Sequence, residues 1–403
     1  MSLEFKPQKR IFEFFEHDFD NIILTTFKFD SGFIEDMLLP VLTGKKAVKD
    51  INDRLEVEDA LQDKRISIIT SQNIQEKRTL LGYDLIPYNG VQHSKIAVLA
   101  RKNLVRIIVG SINLTENAFY KNLEAFCLLD FKENSELPNS LALDILNYLI
   151  NISGNHSKII EQIDEIKNWI NSIKLNSNWK RGETTIKFLT YPSPTNSLIV
   201  EQLFNEIDKE KIQKLKILTP FFEQSNSSFF EYFIEKSSQR ELQNISIYFP
   251  STSEAFGDKT LWNIQADETM LKQAKKYQNL IHFYPISTAD ATSNRNLHAK
   301  LIFINSNKAN YLFIGSSNFT KKGLGFKGVL PNAETNLLFR TPNPNERKLR
   351  DFLPSNIQEQ EIEFLKPIPP EVDDEDITDD LLFPQITTFK RFNYWSNLIN
   401  KFS

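Results

Sequence analysis

The sequence predicts an α/β protein built as two similar halves, and three observations carry that reading. Apolar runs of strand length alternate with amphipathic stretches of helix length. The order of these elements repeats once along the chain, and the same short motifs recur at matching places in both copies. A polar stretch at residues 176–184 (Asn-Ser-Asn-Trp-Lys-Arg-Gly-Glu-Thr) lies between the copies, with turn formers and no apolar period.

A length of 403 residues suits about two domains, and 40% apolar with 12% aromatic residues supply a buried core. In the first half, residues 21–28 (Asn-Ile-Ile-Leu-Thr-Thr-Phe-Lys) read as a strand because β-branched residues dominate. Residues 33–39 read as a helix ended by Pro40. Runs 65–70, 93–100, 104–109 and 123–131 read as strands, and 139–151 and 157–174 as amphipathic helices. In the second half, 185–190 reads as a strand, 197–207 as a helix, and 214–219, 244–249 and 282–286 as further strands. Residues 367–370 are proline-rich, and 371–380 hold seven carboxylates without a basic residue, as a solvated linker does. The residues beyond, with Phe383, Phe389, Phe392, Tyr394 and Trp395, are too aromatic for a free tail and are a candidate contact for the body or for a protein partner. The expected domains are therefore 1–178, 179–366 and a 367–403 extension.

Composition excludes several classes. A single cysteine, Cys127, permits neither an internal disulfide nor a cysteine-based zinc cluster, and its apolar neighbours mark it as a core residue in a reducing compartment. The N-terminus lacks the apolar run of a signal peptide, and no stretch reaches the roughly 18 apolar residues of a membrane span. A cytoplasmic protein without a membrane partner is expected, with a homo-oligomer left open.

The repeat concentrates the chemistry. The first half contains His93-Ser94-Lys95, Gly110-Ser111-Ile112-Asn113 and Asn122-Leu123-Glu124; the second contains His298-Ala299-Lys300, Gly315-Ser316-Ser317-Asn318 and Asn332-Ala333-Glu334. His to Asn is 20 residues in each copy. On a strand, residues i and i+2 share a face, so each His-x-Lys is expected to project its imidazole and ammonium together. The Gly-Ser-x-Asn turn follows the next strand, where glycine lets the backbone approach a bound group and Asn113 or Asn318 supplies an amide donor. A third His-x-Lys, His156-Ser157-Lys158, has no Gly-Ser turn at the matching distance and reads as surface. His17 and His282 have no such company.

In these residues the sequence resembles the phospholipase D superfamily, over roughly residues 20–345. The resemblance implies two mixed-sheet α/β halves about a pseudo-twofold axis, with both motifs in one site. The Asp that the superfamily carries seven residues after each motif His falls at Ala100 and Asn305. That departure looks like the tyrosyl-DNA phosphodiesterase branch and related nucleases more than like lipid-cleaving members. The implied activity is phosphodiester hydrolysis without a metal or other cofactor, with DNA ahead of RNA as substrate and bacterial restriction or phage defence as a context. The rivals are a repair enzyme removing a tyrosine adduct, a phospholipase, and a non-catalytic nucleic-acid-binding subunit.

A phosphodiester is shielded by its own negative charge, so hydrolysis needs a nucleophile, an acid for the leaving oxygen and cations on the non-bridging oxygens. Two imidazoles divide the first two tasks, and by resemblance His93 is the nucleophile and His298 the acid/base. Lys95, Lys300, Asn113 and Asn318 hold the developing charge. Glu124 and Glu334 are candidate orienters of the imidazoles, and Ser111 and Ser316 either bind phosphate or shape the turns. The net charge of −4 hides an uneven distribution: residues 93–124 carry +3 and 298–334 carry +4, leaving −11 elsewhere. Arg101, Lys102, Lys121, Lys321 and Lys322 are accordingly expected to bind a phosphate backbone. Gly315, Gly323, Gly325 and Gly328 cluster beside the second motif, where either a gating loop or an ordinary turn would fit.

Overall fold

The computed structural model describes residues 11–71, 82–154, 156–174, 184–207, 210–223, 228–256, 259–266, 268–286, 296–342 and 365–368. The chain divides into two compact units, Met1–Pro370 and Glu371–Ser403, and every described residue belongs to the first. The expected acidic linker and aromatic tail lie outside the described residues, as do residues 176–183 of the expected junction.

The first half contains β1 (Asn21–Thr25), β2 (Arg65–Ser71), β3 (Asp84–Tyr88), β4 (Ile96–Arg101), β5 (Leu104–Gly110), β6 (Asn122–Leu123) and β7 (Phe126–Lys132). Six of these form a mixed sheet in the order β3-β2-β1-β4-β5-β7, parallel from β3 to β1 and antiparallel thereafter. The second half contains β8 (Thr185–Tyr191), β9 (Ile212–Leu218), β10 (Asn244–Pro250), β11 (Thr252–Phe256), β12 (Lys259–Gln265), β13 (Ile281–Ile286), β14 (Asn296–Leu297), β15 (Leu301–Ser306), β16 (Asn310–Gly315), β17 (Glu334–Thr341) and β18 (Leu365–Ile368). Its main sheet runs β13-β10-β9-β15-β16-β17-β8, parallel from β13 to β9 and antiparallel beyond. Strand for strand this is the path of the first sheet, with β8 added at the edge. A small sheet, β11-β12-β18, completes the second half.

Both sheets are buried on two faces, which is why their strands read as continuous apolar runs. Side-chain alternation divides each strand between two cores. Ile23, Val98 and Ala100 face a central core, whereas Ile22, Leu24, Ala97 and Leu99 face an outer one with helices of residues 31–43 and 51–61. In β15, Leu301 and Phe303 face the same central core, and Ile302 and Ile304 face a third core under helices Ile199–Ile207, Ser228–Ser238 and Glu268–Lys276. Helices Asn139–Ile152 and Ser157–Ser172 contribute their apolar faces to the central core, so the two halves share it.

Two expectations need correction, and one strand was not read from the sequence. The helix expected to end at Pro40 continues to Thr43, because Ile34–Leu38 is a π-helical turn and the proline, which has no N–H to donate, falls in the first turn of the segment after it. The His-x-Lys residues precede β4 and β15 rather than lie on them. Strand β3 contains Pro87 and reads poorly as a strand, yet it forms at the sheet edge, where a missing donor is tolerated.

Candidate active site

The halves meet along their motifs through main-chain bonds. His93 N donates to Ala333 O at 2.9 Å and Ala333 N to Val91 O at 2.8 Å; reciprocally, His298 N and Ala299 N donate to Leu123 O at 3.0 and 2.8 Å. Leu297 of β14 pairs with Leu123 of β6, and Gln92 bridges Ala333. The residue before each motif histidine therefore sits beside the residue before the other half's glutamate. Equivalent contacts exchanged in both directions are what a twofold relation produces.

The consequence is an exchange of carboxylates. His93 Nδ1 lies 2.7 Å from Glu334 Oε1, and His298 Nδ1 lies 2.8 Å from Glu124 Oε2. Each imidazole faces the glutamate of the opposite half through Nδ1; at His298 the contact is a hydrogen bond, which assigns the ring proton to Nδ1 and leaves Nε2 as the lone-pair atom. Burial, the largest influence on Glu124, would raise its carboxyl; the His298 charge and hydrogen bond, Lys300 and Ser111 outweigh it and hold the group below the usual carboxylate range.

Ser111 Oγ donates to Glu124 Oε2 at 2.5 Å and accepts from Ala125 N at 3.0 Å; Ser316 Oγ donates to Glu334 and accepts from Thr335 N at 2.9 Å. Both hydroxyls thus clamp the carboxylates. The preceding glycines serve the same contact, since a Cβ on Gly110 or Gly315 would overlap the carbonyl oxygen of Ala125 or Thr335. The close approach that glycine permits here is to the chain's own next strand, not to a bound group.

Lys95 Nζ donates to His93 O at 2.8 Å; Lys300 Nζ donates to His298 O at 2.8 Å and lies 3.0 Å from His298 Nε2. Asn113 Oδ1 accepts from Phe27 N and Lys28 N, each at 3.4 Å, which turns its Nδ2 to the other side. Thr26 Oγ1 accepts from Leu114 N at 3.0 Å, as Thr219 Oγ1 accepts from Phe319 N at 3.4 Å, so the threonines immediately after β1 and β9 anchor the two asparagine turns alike. His93, Lys95, Asn113, His298, Lys300 and Asn318 are all 7% exposed or less. In this buried cluster two lysine and two glutamate charges cancel. A phosphodiester adds one negative charge, which one imidazolium balances.

The basic residues divide. Arg101 ends β4, the far end from Lys95, and pairs with Asp18; Lys102 lies in the exposed turn after it. At about 3.3 Å per strand residue, both sit far from the motif, so the structure does not bring them to the site. Arg106, which contributed to the first half's positive charge, is bound by Asp130 and Glu16. Lys121, 3.7 Å from Glu116, adjoins β6, and Lys321 and Lys322 open the short helix Lys321–Leu324 after Asn318. His156 precedes helix Ser157–Ser172 and Lys158 pairs with Asp84, away from the motifs. At the positions of the superfamily Asp, Ala100 is buried and Asn305 Nδ2 donates to Asn310 Oδ1 at 2.7 Å. Gly323 packs on the Asn318 backbone, and Gly325 and Gly328 have positive φ of 82° and 85°.

Sequence reasoning missed Thr26 and Thr219, the role of the motif residue Asn122, whose Nδ2 donates to Glu124 Oε1 at 3.1 Å, and the aromatic neighbours of the histidines. The threonines could have been found by extending the repeat search to the ends of β1 and β9, where Thr26-Phe27 and Thr219-Pro220 align.

No protein-family model matches the chain, and no curated protein matches it either. Among solved structures, yeast tyrosyl-DNA phosphodiesterase superposes with a TM-score of 0.53 at 15% identity, covering 84% of this chain and 87% of that one. A variant of the same yeast enzyme superposes with a TM-score of 0.51 at 14% identity, covering 81% and 84%. A phosphatidylserine synthase of Haemophilus influenzae aligns at a TM-score of 0.47 and 13% identity over 83% and 80%. The path of the two sheets, their reciprocal contacts and the superposition on the yeast enzyme agree: the chain shares the two-sheet α/β fold of yeast tyrosyl-DNA phosphodiesterase.

Proposed function

We propose that the protein is a phosphodiesterase that cleaves nucleic acid, DNA ahead of RNA, through a phosphohistidine and without a metal. The observation that carries this reading is the pair of imidazoles, each with its Nδ1 within 2.8 Å of a buried carboxylate of the other half, in a cluster one negative charge short of requiring an imidazolium.

His93 Nε2 attacks phosphorus, forming a P–N bond as the P–O bond to the leaving group breaks, and His298 gives its Nε2 proton to the departing oxygen. His298 then takes a proton from water, whose oxygen attacks phosphorus and returns the P–N pair to His93. The order of the two histidines follows the superfamily resemblance. Lys95, Lys300, Asn113 and Asn318 donate to the non-bridging oxygens, a class of contact for which each lost donor costs about 2.7–4 kcal/mol. Lys121, Lys321 and Lys322 would meet flanking phosphates.

The test is incubation of the purified chain with plasmid and single-stranded DNA in EDTA, beside His93→Ala and His298→Ala. Cleavage is expected in EDTA and lost in both variants, with a phosphoenzyme trapped in His298→Ala alone. Cleavage that needs a divalent metal, or that survives both substitutions, overturns the proposal.

A further inference from the structure

Two phenylalanines stand against the catalytic histidines and belong to none of the three hydrophobic cores. The Phe27 ring lies 5.3 Å from that of His93, with Lys95 Nζ 5.8 Å from its centroid; the Phe221 ring meets His298 edge-on at 6.4 Å. Neither ring is among the buried or partly buried members of the cores. Both are half-exposed, whereas the imidazoles they cover are almost fully buried. The phenylalanines are therefore the outer layer of the site. They are also not copies of one another: aligned through Thr26 and Thr219, Phe27 matches Pro220 and Phe221 matches Lys28. Each half has thus placed a ring on its histidine from a different position, so the internal repeat alone does not account for the pair.

A half-exposed phenylalanine over a charged cluster adds nothing to a core, but it offers a flat apolar face beside the phosphate position. In a nucleic-acid strand every phosphodiester is flanked by two nucleosides. With the phosphate between His93 and His298, the neighbouring bases fall to either side, toward Phe27 and Phe221. In a duplex those bases are stacked and paired inside the helix; in a single strand they are available to aromatic rings. Resting on the phosphodiesterase reading above, we infer that the substrate is single-stranded nucleic acid, held by stacking of the two bases flanking the scissile phosphate on Phe27 and Phe221. Sequence tolerance follows, because every base has a π face.

Binding isolates this inference from catalysis. Fluorescence anisotropy with the full chain at fixed salt compares a short oligothymidylate, its duplex with oligoadenylate, and an abasic strand carrying the same phosphates. The oligothymidylate is expected to bind more tightly than either of the others. Phe27→Ala and Phe221→Ala should each weaken oligothymidylate by about 5- to 150-fold, the range for one lost base–aromatic stack, and leave the abasic strand nearly unchanged. Phe27→Tyr, which keeps a ring, should retain most of the affinity. A substitution that merely damages the site would weaken both strands equally. Equal losses on both strands, or equal affinity for single strand, duplex and abasic strand, would overturn the inference. Hydrolysis of bis(p-nitrophenyl) phosphate is measured beside it. Base-dependent binding without ester hydrolysis would overturn only the catalytic reading, and hydrolysis without base dependence would overturn only this one.

Discussion

Glu124→Gln tests the exchange of carboxylates between the halves. Glu124 Oε2 lies 2.8 Å from His298 Nδ1. At that separation and an effective dielectric of ~20, Coulomb's law puts the attraction between an imidazolium and the carboxylate at about 6 kcal/mol. A glutamine still offers a carbonyl oxygen to Nδ1 and to Ser111, so it keeps the ring orientation and loses the charge. Roughly half of the attraction, about 3 kcal/mol, is then expected to disappear from the transition state, or about 10²-fold in kcat. The rate is read on bis(p-nitrophenyl) phosphate. The location is read by NMR on histidine-labelled protein, where Glu124→Gln should displace the ring resonances of His298 and leave those of His93, and Glu334→Gln should do the reverse. If Glu124→Gln moved the His93 ring and spared His298, each carboxylate would serve its own half and the reasoning would fail.

Acid should loosen the same contact. The Glu124 carboxyl is held below its ordinary range, so its contribution is present above the unfolded value of about 4.3 and is lost as pH falls through the lower folded value. Melting temperature should drop below about pH 4, and Glu124→Gln should flatten that drop while lowering Tm at neutral pH. Gly110→Ala and Gly315→Ala force a methyl group onto a neighbouring carbonyl; each should destabilise by about 1–3 kcal/mol, measured as a shift in the urea midpoint, and an unchanged midpoint would show that the strands have room to part. Burial pushes the Cys127 thiol up to about 12, so iodoacetamide at pH 8 should leave the folded chain unlabelled and modify it only in denaturant.

Much of the fold is legible in local patterning. Strands such as β5 and β15 are buried on both faces and appear as unbroken apolar runs, and helices such as Ser157–Ser172 show their apolar stripe at helical spacing. The helix through Pro40 and the edge strand β3 were not legible, because each breaks a local rule that tertiary context overrides: a π turn in one case, an edge position in the other. The placement of Arg101 and Lys102 was within reach of sequence reasoning. Charge summed over a segment ignores direction, and a strand of the length of β4 carries its two ends apart.

The sequence by itself determined that there are two copies of one motif, with equal spacing from histidine to asparagine, and which residue types each copy contributes. Only the tertiary structure decided which copy's glutamate serves which histidine. Pairing within a half and pairing across halves satisfy the same spacings, so no pattern along the chain distinguishes them. The choice is made by main-chain bonds such as His93 N to Ala333 O and His298 N to Leu123 O, which exist only once both halves have folded and closed over the shared core. For the same reason the aromatic rings beside the imidazoles could not be read from the repeat: Phe27 and Phe221 occupy unmatched positions, and only the packed site places one against each histidine.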